Sequence, residues 1–203
     1  MKICFVALNA YPLLSEHFTP SHFGGAELQQ VILARGLQES GLDVSFITLD
    51  HGQPQLEVIN GINVHKTFKL NEGVFGLRFF YPKLFKVWNA LLHANADVYY
   101  VRGAGFLPGL LALFTKYTRK KFIFAAAHDT DFSPSMFMVP TLRAKASYRY
   151  GLRRAAAIVV QTETQRNLLY NNFGLNGIVI GNVMNRKKAA LTQKRKTFIL
   201  WVA

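Results

Sequence analysis

His22-Phe23-Gly24-Gly25-Ala26-Glu27 is the stretch that decides the fold, because it joins a short apolar run at the N-terminus to a long helical pattern. Ile3 to Leu8 is continuously apolar, which is typical of a strand buried on both faces. From Gly25 to Ser40 apolar residues recur on one arc of a helix, and Gly41 is placed to end it. Paired glycines let a ligand approach the backbone, and a helix N-terminus attracts phosphate. The stretch therefore predicts either a phosphate-binding turn or a simple tight turn.

Outward from this turn, segments with strand character alternate with segments of helical periodicity. Asn60-Gly61, between two short strand patterns, is a strong signal for a two-residue hairpin. Such alternation favours an α/β fold, a Rossmann-like parallel sheet with right-handed crossovers and helices on both faces. The predicted strands are residues 3–8, 44–49, 56–59, 62–65, 98–101, 121–127, 157–160 and 178–180, and the predicted helices are residues 25–40, 82–95, 107–117, 141–154 and 163–172, with a loop over residues 9–23.

The alternation stops after Asn182, and this change divides the chain into three parts. Residues 1–183 form the predicted Rossmann-like domain, and residues 184–197 are polar and basic, as in a linker. Phe198-Ile199-Leu200-Trp201-Val202-Ala203 has the pattern of a further strand. This strand either closes an edge of the sheet or begins a second domain.

The net charge of +13 predicts an anionic partner, such as nucleic acid, an anionic lipid surface or phosphorylated small molecules. Arg186-Lys187-Lys188 and Lys194-Arg195-Lys196 are clustered near the C-terminus, and further basic residues between positions 66 and 86 alternate with aromatic ones. No stretch approaches the about 20 apolar residues that span a bilayer. The single cysteine, Cys4, lies in an apolar run, where we expect a buried and inert thiol.

Polar residues follow the predicted strands at the points where these strands end. Parallel sheets bind ligands outside the carboxyl ends of their strands, so these residues are candidates for one site. Each also has a structural interpretation: a helix cap for His128, an ion pair with Asp129 or Asp131 for Arg102, and turn or helix capping for Thr162 and Asn182. The residues in question are Asn9, Gly24-Gly25, Arg102-Gly103, His128-Asp129, Gln161-Thr162 and Gly181-Asn182.

Several kinds of site are disfavoured. The six histidines are scattered without a metal-binding spacing, and there is no cysteine cluster. The sequence has neither the Gly-x-x-x-x-Gly-Lys-Ser/Thr phosphate loop nor a Gly-x-Gly-x-x-Gly at the start of the first helix. We therefore expect no metal site and no nicotinamide-dependent dehydrogenase.

The ordered set of motifs resembles the family-4 retaining glycosyltransferases. The resemblance begins with Phe23-Gly24-Gly25-Ala26-Glu27 and Gly41-Leu42-Asp43-Val44. It continues through Ala96 to Arg102, the loop at His128 and Ala157 to Thr162. It implies the N-terminal, acceptor-side domain of the GT-B fold, in which two Rossmann-like domains face each other across a cleft.

The resemblance also implies roles for individual residues. Gly24 and Gly25 would contact the donor diphosphate through their backbone, and His128 would lie beside the transferred sugar near the reaction centre. Asn182 is similar to the asparagine of a Pro-Asn-Gly turn in the donor site, although Gly181 replaces the proline and Val183 the glycine. Finally, Arg102, Asp129 and Thr162 would face the cleft or the acceptor.

For function, the resemblance implies sugar transfer, with retention, from a nucleotide sugar to a glycan or a lipid-linked acceptor, without a metal or other cofactor. The family's C-terminal domain, which makes most donor contacts, is missing from this sequence. Residues 198–203 would be its first strand, so we expect this chain to be inactive alone. A cytoplasmic location is expected, with peripheral attachment to the inner face of the membrane.

A non-catalytic basic α/β domain that binds an anionic membrane, nucleic acid or a protein partner is the alternative. No nucleic-acid-binding motif is present, so nucleic acid is not the expected partner. Phe79-Phe80-Tyr81 and the helix that follows could lie in a membrane surface. Leu84, Val87 and Leu91 of that helix are expected to pack on the sheet instead.

Overall fold

The computed structural model describes residues 1–15, 24–72, 83–134, 139 and 141–182, so the predicted linker and the strand at 198–203 lie outside the described residues. The strands are β1 (Lys2–Val6), β2 (Asp43–Thr48), β3 (Leu56–Ile59), β4 (Ile62–Lys66), β5 (Val98–Arg102), β6 (Lys121–Ala125), β7 (Ala157–Val160) and β8 (Ile178–Val179). The helices are α1 (Tyr11–Leu14), α2 (Gly25–Glu39), α3 (Phe85–Ala94), α4 (Leu107–Thr118), α5 (Leu142–Arg154) and α6 (Glu163–Phe173).

The eight strands form one sheet in the order β3-β4-β2-β1-β5-β6-β7-β8. All neighbours are parallel except β3 and β4, which form the antiparallel hairpin predicted at Asn60-Gly61. Both hairpin residues have positive φ, 49° and 78°, as a tight two-residue turn requires. Ile3 of the central strand is paired with Val44 on one side and Val98 on the other. The chain thus winds outward from β1 in both directions, which confirms the Rossmann-like prediction.

Helices cover both faces of the sheet, which explains why its central strands are apolar on both sides. On one face α1 and α2 pack over β1, β2 and β4, with Phe5 and Phe46 stacked at a ring-centroid distance of 5.1 Å. On the other face α3 to α6 pack over β1 and β5 to β7. There Val87 and Leu91 of α3 are fully buried, as expected, whereas Phe79-Phe80-Tyr81 lies outside the described residues.

Several helix ends follow the local sequence signals. The helix α2 starts after Gly24 and is followed by Gly41 at φ 85°, a conformation that glycine adopts without strain. The hydroxyl of Thr141 accepts a hydrogen bond from the Ala144 N–H, and the hydroxyl of Thr162 accepts one from the Gln165 N–H, each at 3.2 Å. These two N-caps define the starts of α5 and α6.

Several element ends shift by one to three residues, such as β1 ending at Val6 rather than Leu8, and two further differences have a clear physical reason. The predicted loop over residues 9–23 contains the single helical turn α1, which is too short to show helical periodicity. The predicted strand over residues 121–127 ends at Ala125. Its apolar pattern continues, but the Ala127 N–H donates to Asp131 Oδ2 at 2.7 Å rather than to a strand.

The thiol of Cys4 is fully buried, as expected, and burial raises its pKa to about 12. It therefore stays protonated and unreactive at neutral pH. Within the described residues, no helix combines the length and apolar character needed to cross a bilayer.

Two glycines allow α4 and α5 to cross with their backbones in contact. A Cβ on Gly151 would lie 2.5 Å from the Pro108 carbonyl carbon and 2.7 Å from the Gly109 nitrogen. These atoms belong to the backbone, so they cannot rotate away as a side chain would. The crossing thus requires glycine for space rather than for an unusual φ.

We expect Gly151→Ala to lower the free energy of unfolding by about 2 kcal/mol or more, because the added methyl separates the two helices. The matched control is Gly36→Ala in α2, where a Cβ would meet no described atom within 4 Å. That control should raise stability by up to about 1 kcal/mol, since alanine is the better helix former. Urea unfolding of both variants checks this pair, and equal effects would contradict the backbone contact.

Candidate functional site

The carboxyl ends of the strands bring the candidate residues to one edge of the sheet. Gly24 precedes α2, the crossover helix after β1, Arg102 ends β5, and His128 follows β6. Thr162 follows β7, and Asn182 follows β8. Because β1 and β5 are neighbours where the strand order reverses, this edge contains the crevice in which such sheets bind ligands.

Gly24 and Gly25 lie at the start of α2, and the described structure does not require glycine at either position. Gly24 has φ −88° and ψ 162°, an extended conformation open to any residue. A Cβ on Gly25 would meet no described atom within 4 Å, and one on Gly24 would meet only the flexible end of Glu27 closely. The open space at Gly25 lies beside the positive end of the helix dipole, where an anion binds favourably.

Arg102 does not form the ion pair with Asp129 or Asp131 that was one interpretation of the sequence. Its Nη2 donates to Asn182 Oδ1 at 2.8 Å, and Asn182 Nδ2 donates to Gln161 Oε1 at 2.9 Å. Within the described residues, no carboxylate lies within ion-pair distance of Arg102, and its buried Nε has no hydrogen-bond partner. The guanidinium thus brings an uncompensated positive charge to the crevice.

Tyr100 lies beside this guanidinium on β5. Burial raises the pKa of the Tyr100 hydroxyl, and the charge of Arg102 and a hydrogen bond to it offset part of that rise. The hydroxyl stays protonated at neutral pH and can serve Arg102 only as a neutral partner.

The carboxylates Asp129 and Asp131 have different surroundings, although both lie in the turn after β6. Asp129 and His128 are exposed. Asp131 is only 2% exposed, and its carboxylate accepts hydrogen bonds from the N–H groups of Ala104, Ala127 and His128. Asp131 is therefore structural, whereas His128 and Asp129 are available to a ligand.

Thr162 and Asn182 are both engaged within the protein. Thr162 caps α6, as one interpretation of the sequence has it. The side-chain oxygen and nitrogen of Asn182 bond to Arg102 at the end of β5 and to Gln161 after β7, so Asn182 connects these two residues. The role of Asn182 in donor binding stays a prediction, as do the roles of His128, Gly24 and Gly25.

Two cavities open near these strands. One, of about 280 Å³, lies along the sheet. Its walls are α2 on one side and the hydrogen-bonded side chains of Arg102 and Asn182 on the other. A larger one of about 600 Å³ lies between β4 and α3. Its lysines are already paired, Lys66 with Asp50 at 3.8 Å and Lys86 with Glu72. We place the candidate site at the strand edge, where Arg102 has no such partner.

Metal chemistry finds no support in the described part of the chain, where no three histidine, cysteine or carboxylate residues form a cluster that could hold an ion.

The comparisons with known proteins identify a family. A family model described as Glycosyltransferase Family 4 matches residues 23–186. The chain has no significant match among curated proteins.

Solved structures are similar to the chain in fold. UDP-GlcNAc 2-epimerase from Methanocaldococcus jannaschii has a TM-score of 0.59 at 14% identity, over 90% of this chain and 46% of that one. MurG from Acinetobacter baumannii has a TM-score of 0.56 at 13% identity, and the match covers 92% of this chain and 46% of MurG. Sucrose-phosphate synthase from Thermosynechococcus elongatus has a TM-score of 0.54 at 12% identity, and the match covers 91% of each chain. The chain spans about half the length of the epimerase and of MurG, and identities this low show the fold alone.

We expect the free energy of unfolding to depend on pH through His65, which lines the larger cavity. Burial, and secondarily the charge of His93, lowers the pKa of His65 below its usual value. The unfolded chain then binds more protons than the folded one between the two pKa values, so stability falls as pH drops through about 6.5. One such group contributes at most about 1.4 kcal/mol per pH unit.

Urea unfolding between pH 7.5 and 5.5 measures this slope. His65→Gln should flatten it, whereas the control His93→Gln, which removes an exposed imidazole, should retain most of it. An unchanged slope in His65→Gln would show that other groups cause the loss.

Proposed function

Because the chain belongs to glycosyltransferase family 4, we propose that it forms the N-terminal, acceptor-side domain of a retaining GT-B glycosyltransferase. Such an enzyme transfers a sugar from a nucleotide sugar to a glycan or a lipid-linked acceptor. The strand reversal beside β1 supports this assignment, since it forms a crevice at one edge of the sheet. The similar epimerase, whose name gives a UDP-sugar, supports a nucleotide sugar as donor.

The observation that carries the proposal is the open helix N-terminus at Gly24-Gly25. Among the described residues Gly25 is not needed for packing, and the space beside it is open to a ligand that approaches the backbone. The first N–H groups of α2 would bind the donor diphosphate. No metal is needed for this contact, because the helix end and Arg102 supply positive charge.

The same groups would assist the reaction. Transfer breaks the bond between the anomeric carbon and a diphosphate oxygen, and the electron pair leaves with the nucleoside diphosphate. A new glycosidic bond forms to the acceptor oxygen, whose proton passes to the departing diphosphate. The N–H groups at Gly24-Gly25 would stabilise the charge that develops on the leaving group. His128, which is exposed after β6, would contact the transferred sugar. Arg102 and Asp129 would line the acceptor side.

Location and acceptor are part of the proposal. The net charge of +13 favours an anionic surface or substrate, and a lipid-linked acceptor would bring the domain to the cytoplasmic face of a membrane. Peripheral attachment to that face is the mode proposed here.

Gly25→Ala tests the donor site without disturbing the fold. Its Cβ would occupy space that is open in the free protein, so we expect unchanged or higher thermal stability but at least tenfold weaker binding of a nucleoside diphosphate. Gly36→Ala, in the same helix but near its other end, is the matched control and should bind like the unchanged protein. Chemical shifts of the Gly25 and Ala26 amides during titration with UDP, GDP and ADP report the binding.

Two outcomes would contradict this assignment. One is equal affinity of Gly25→Ala and the unchanged protein. The other is no response to any of the three nucleotides together with salt-dependent binding of an oligonucleotide, which would favour the non-catalytic basic domain.

Residues 1–203 by themselves should transfer no sugar. The chain is about half as long as MurG, and the proposed cleft needs a facing domain to hold the nucleotide and the donor sugar. Incubation with nucleotide sugars and detection of released nucleoside diphosphate measures turnover. Robust turnover would overturn the proposal that a facing domain is needed to hold the nucleotide and the donor sugar.

A further inference from the structure

The backbone that leads to His128 is held by hydrogen bonds at every polar atom of Ala126 and Ala127. The Ala126 N–H donates to the Val159 carbonyl at 2.9 Å, as in a continuing strand. The Ala127 N–H donates to Asp131 Oδ2 at 2.7 Å. Gln161 Nε2 donates to both carbonyl oxygens, at 2.8 and 3.0 Å. Buried backbone polar groups must find partners, and here two side chains supply three of the four, because regular secondary structure has ended.

Asp131 holds this loop from one side. Its buried carboxylate accepts from Ala127 and His128, and it reaches Ala104 in the loop after β5 at 3.3 Å. One carboxylate therefore ties together the turns that follow two adjacent strands. Such charge-assisted bonds to backbone N–H groups are stronger than neutral ones.

Gln161 holds the loop from the other side, and its own position is fixed. Its Oε1 accepts from Asn182 Nδ2 at 2.9 Å, and its N–H donates to Gln165 Oε1 at 2.8 Å. With Nε2 facing two carbonyl oxygens and Oε1 facing an amide N–H, the amide orientation is determined by its partners. Gln161 thus connects the ends of β6, β7 and β8.

We propose that Gln161 and Asp131 are positioning residues that hold His128 at the crevice. This inference rests on the proposed function only in giving His128 a substrate to contact. His128 is exposed, so packing does not hold its ring. The backbone at residues 126–128 and the capping-box arrangement of His128 with Asp131 decide where the imidazole lies. A reacting group must be held within about 0.5 Å of its productive position, and supporting hydrogen bonds of this kind provide that precision.

Gln161→Glu is the sharpest test, because the side chain keeps its size but presents an acceptor to two carbonyl oxygens. We expect amide hydrogen exchange at Ala127 and His128 to become at least tenfold faster, and the His128 imidazole signals to shift or broaden. Gln161→Met removes the donor without adding a charge, and should give the same changes more weakly if the glutamate variant fails to fold. Asp131→Asn should also accelerate exchange at these two amides.

Thr141→Ala is the matched control. It removes the N-cap of α5, which costs about 1 kcal/mol, and leaves the loop at His128 intact. A purely structural role for Gln161 would change the melting temperature, as the control does, without a specific change at His128. Unchanged exchange at Ala127 and His128 in both Gln161 variants would overturn the proposal.

Titration of the unchanged protein with UDP-glucose and UDP-GlcNAc separates this inference from the proposed function. A response of Gly25 or His128 signals to these donors alongside normal loop exchange in the Gln161 variants would retain the function and reject the positioning role. Faster loop exchange in the variants, without any response of the unchanged protein to the donors, would retain the positioning role and reject the proposed function.

Discussion

The pairing of β1 with β2 on one side and with β5 on the other is the constraint on which the rest of the structure depends. Because all three strands are parallel, their carboxyl ends lie at the same edge, and the chain must leave β1 by a crossover that returns over the sheet. That crossover is α2, so the helix N-terminus at Gly24-Gly25 lies at the same edge as the ends of β5 and β6. Topology alone therefore brings positive helix charge, Arg102 and His128 to one crevice.

The electrostatics of the described residues separate the crevice from the rest of the surface. Several carboxylates elsewhere have basic partners, among them Asp43 with Lys2, Asp97 with Lys120, and Glu72 with Lys86. Exposed pairs of this kind contribute little stability, but they neutralise local charge. Arg102 differs because amide and hydroxyl groups, which carry no charge, surround it. An anionic ligand beside Arg102 would meet a guanidinium that no described carboxylate pairs with, although Glu27 and Asp129 lie at the same edge.

The candidate site was only partly predictable. Gly24, Arg102, His128 and Asn182 follow strands, and that local signal was enough to place them at one edge. The supporting roles of Gln161 and Asp131 were not recognised, although Gln161 also follows a strand. Their partners include Ala126 and Ala127 for Gln161 and Ala104 for Asp131, up to 35 positions away in the sequence. Hydrogen bonds over such separations leave no periodicity or spacing from which to infer them.

The sequence by itself determined the order and type of nearly all the elements, the hairpin turn, the capping interpretation of Thr162, and the buried state of Cys4. These features depend on residues close together along the chain, through periodicity, turn geometry and capping. Only the tertiary structure decided that β6 ends at Ala125, that Asp131 is structural while Asp129 is exposed, and that Arg102 bonds Asn182. Each of these depends on which strand ends become neighbours and which polar atoms then lack a partner, and the sheet must be assembled before that is settled.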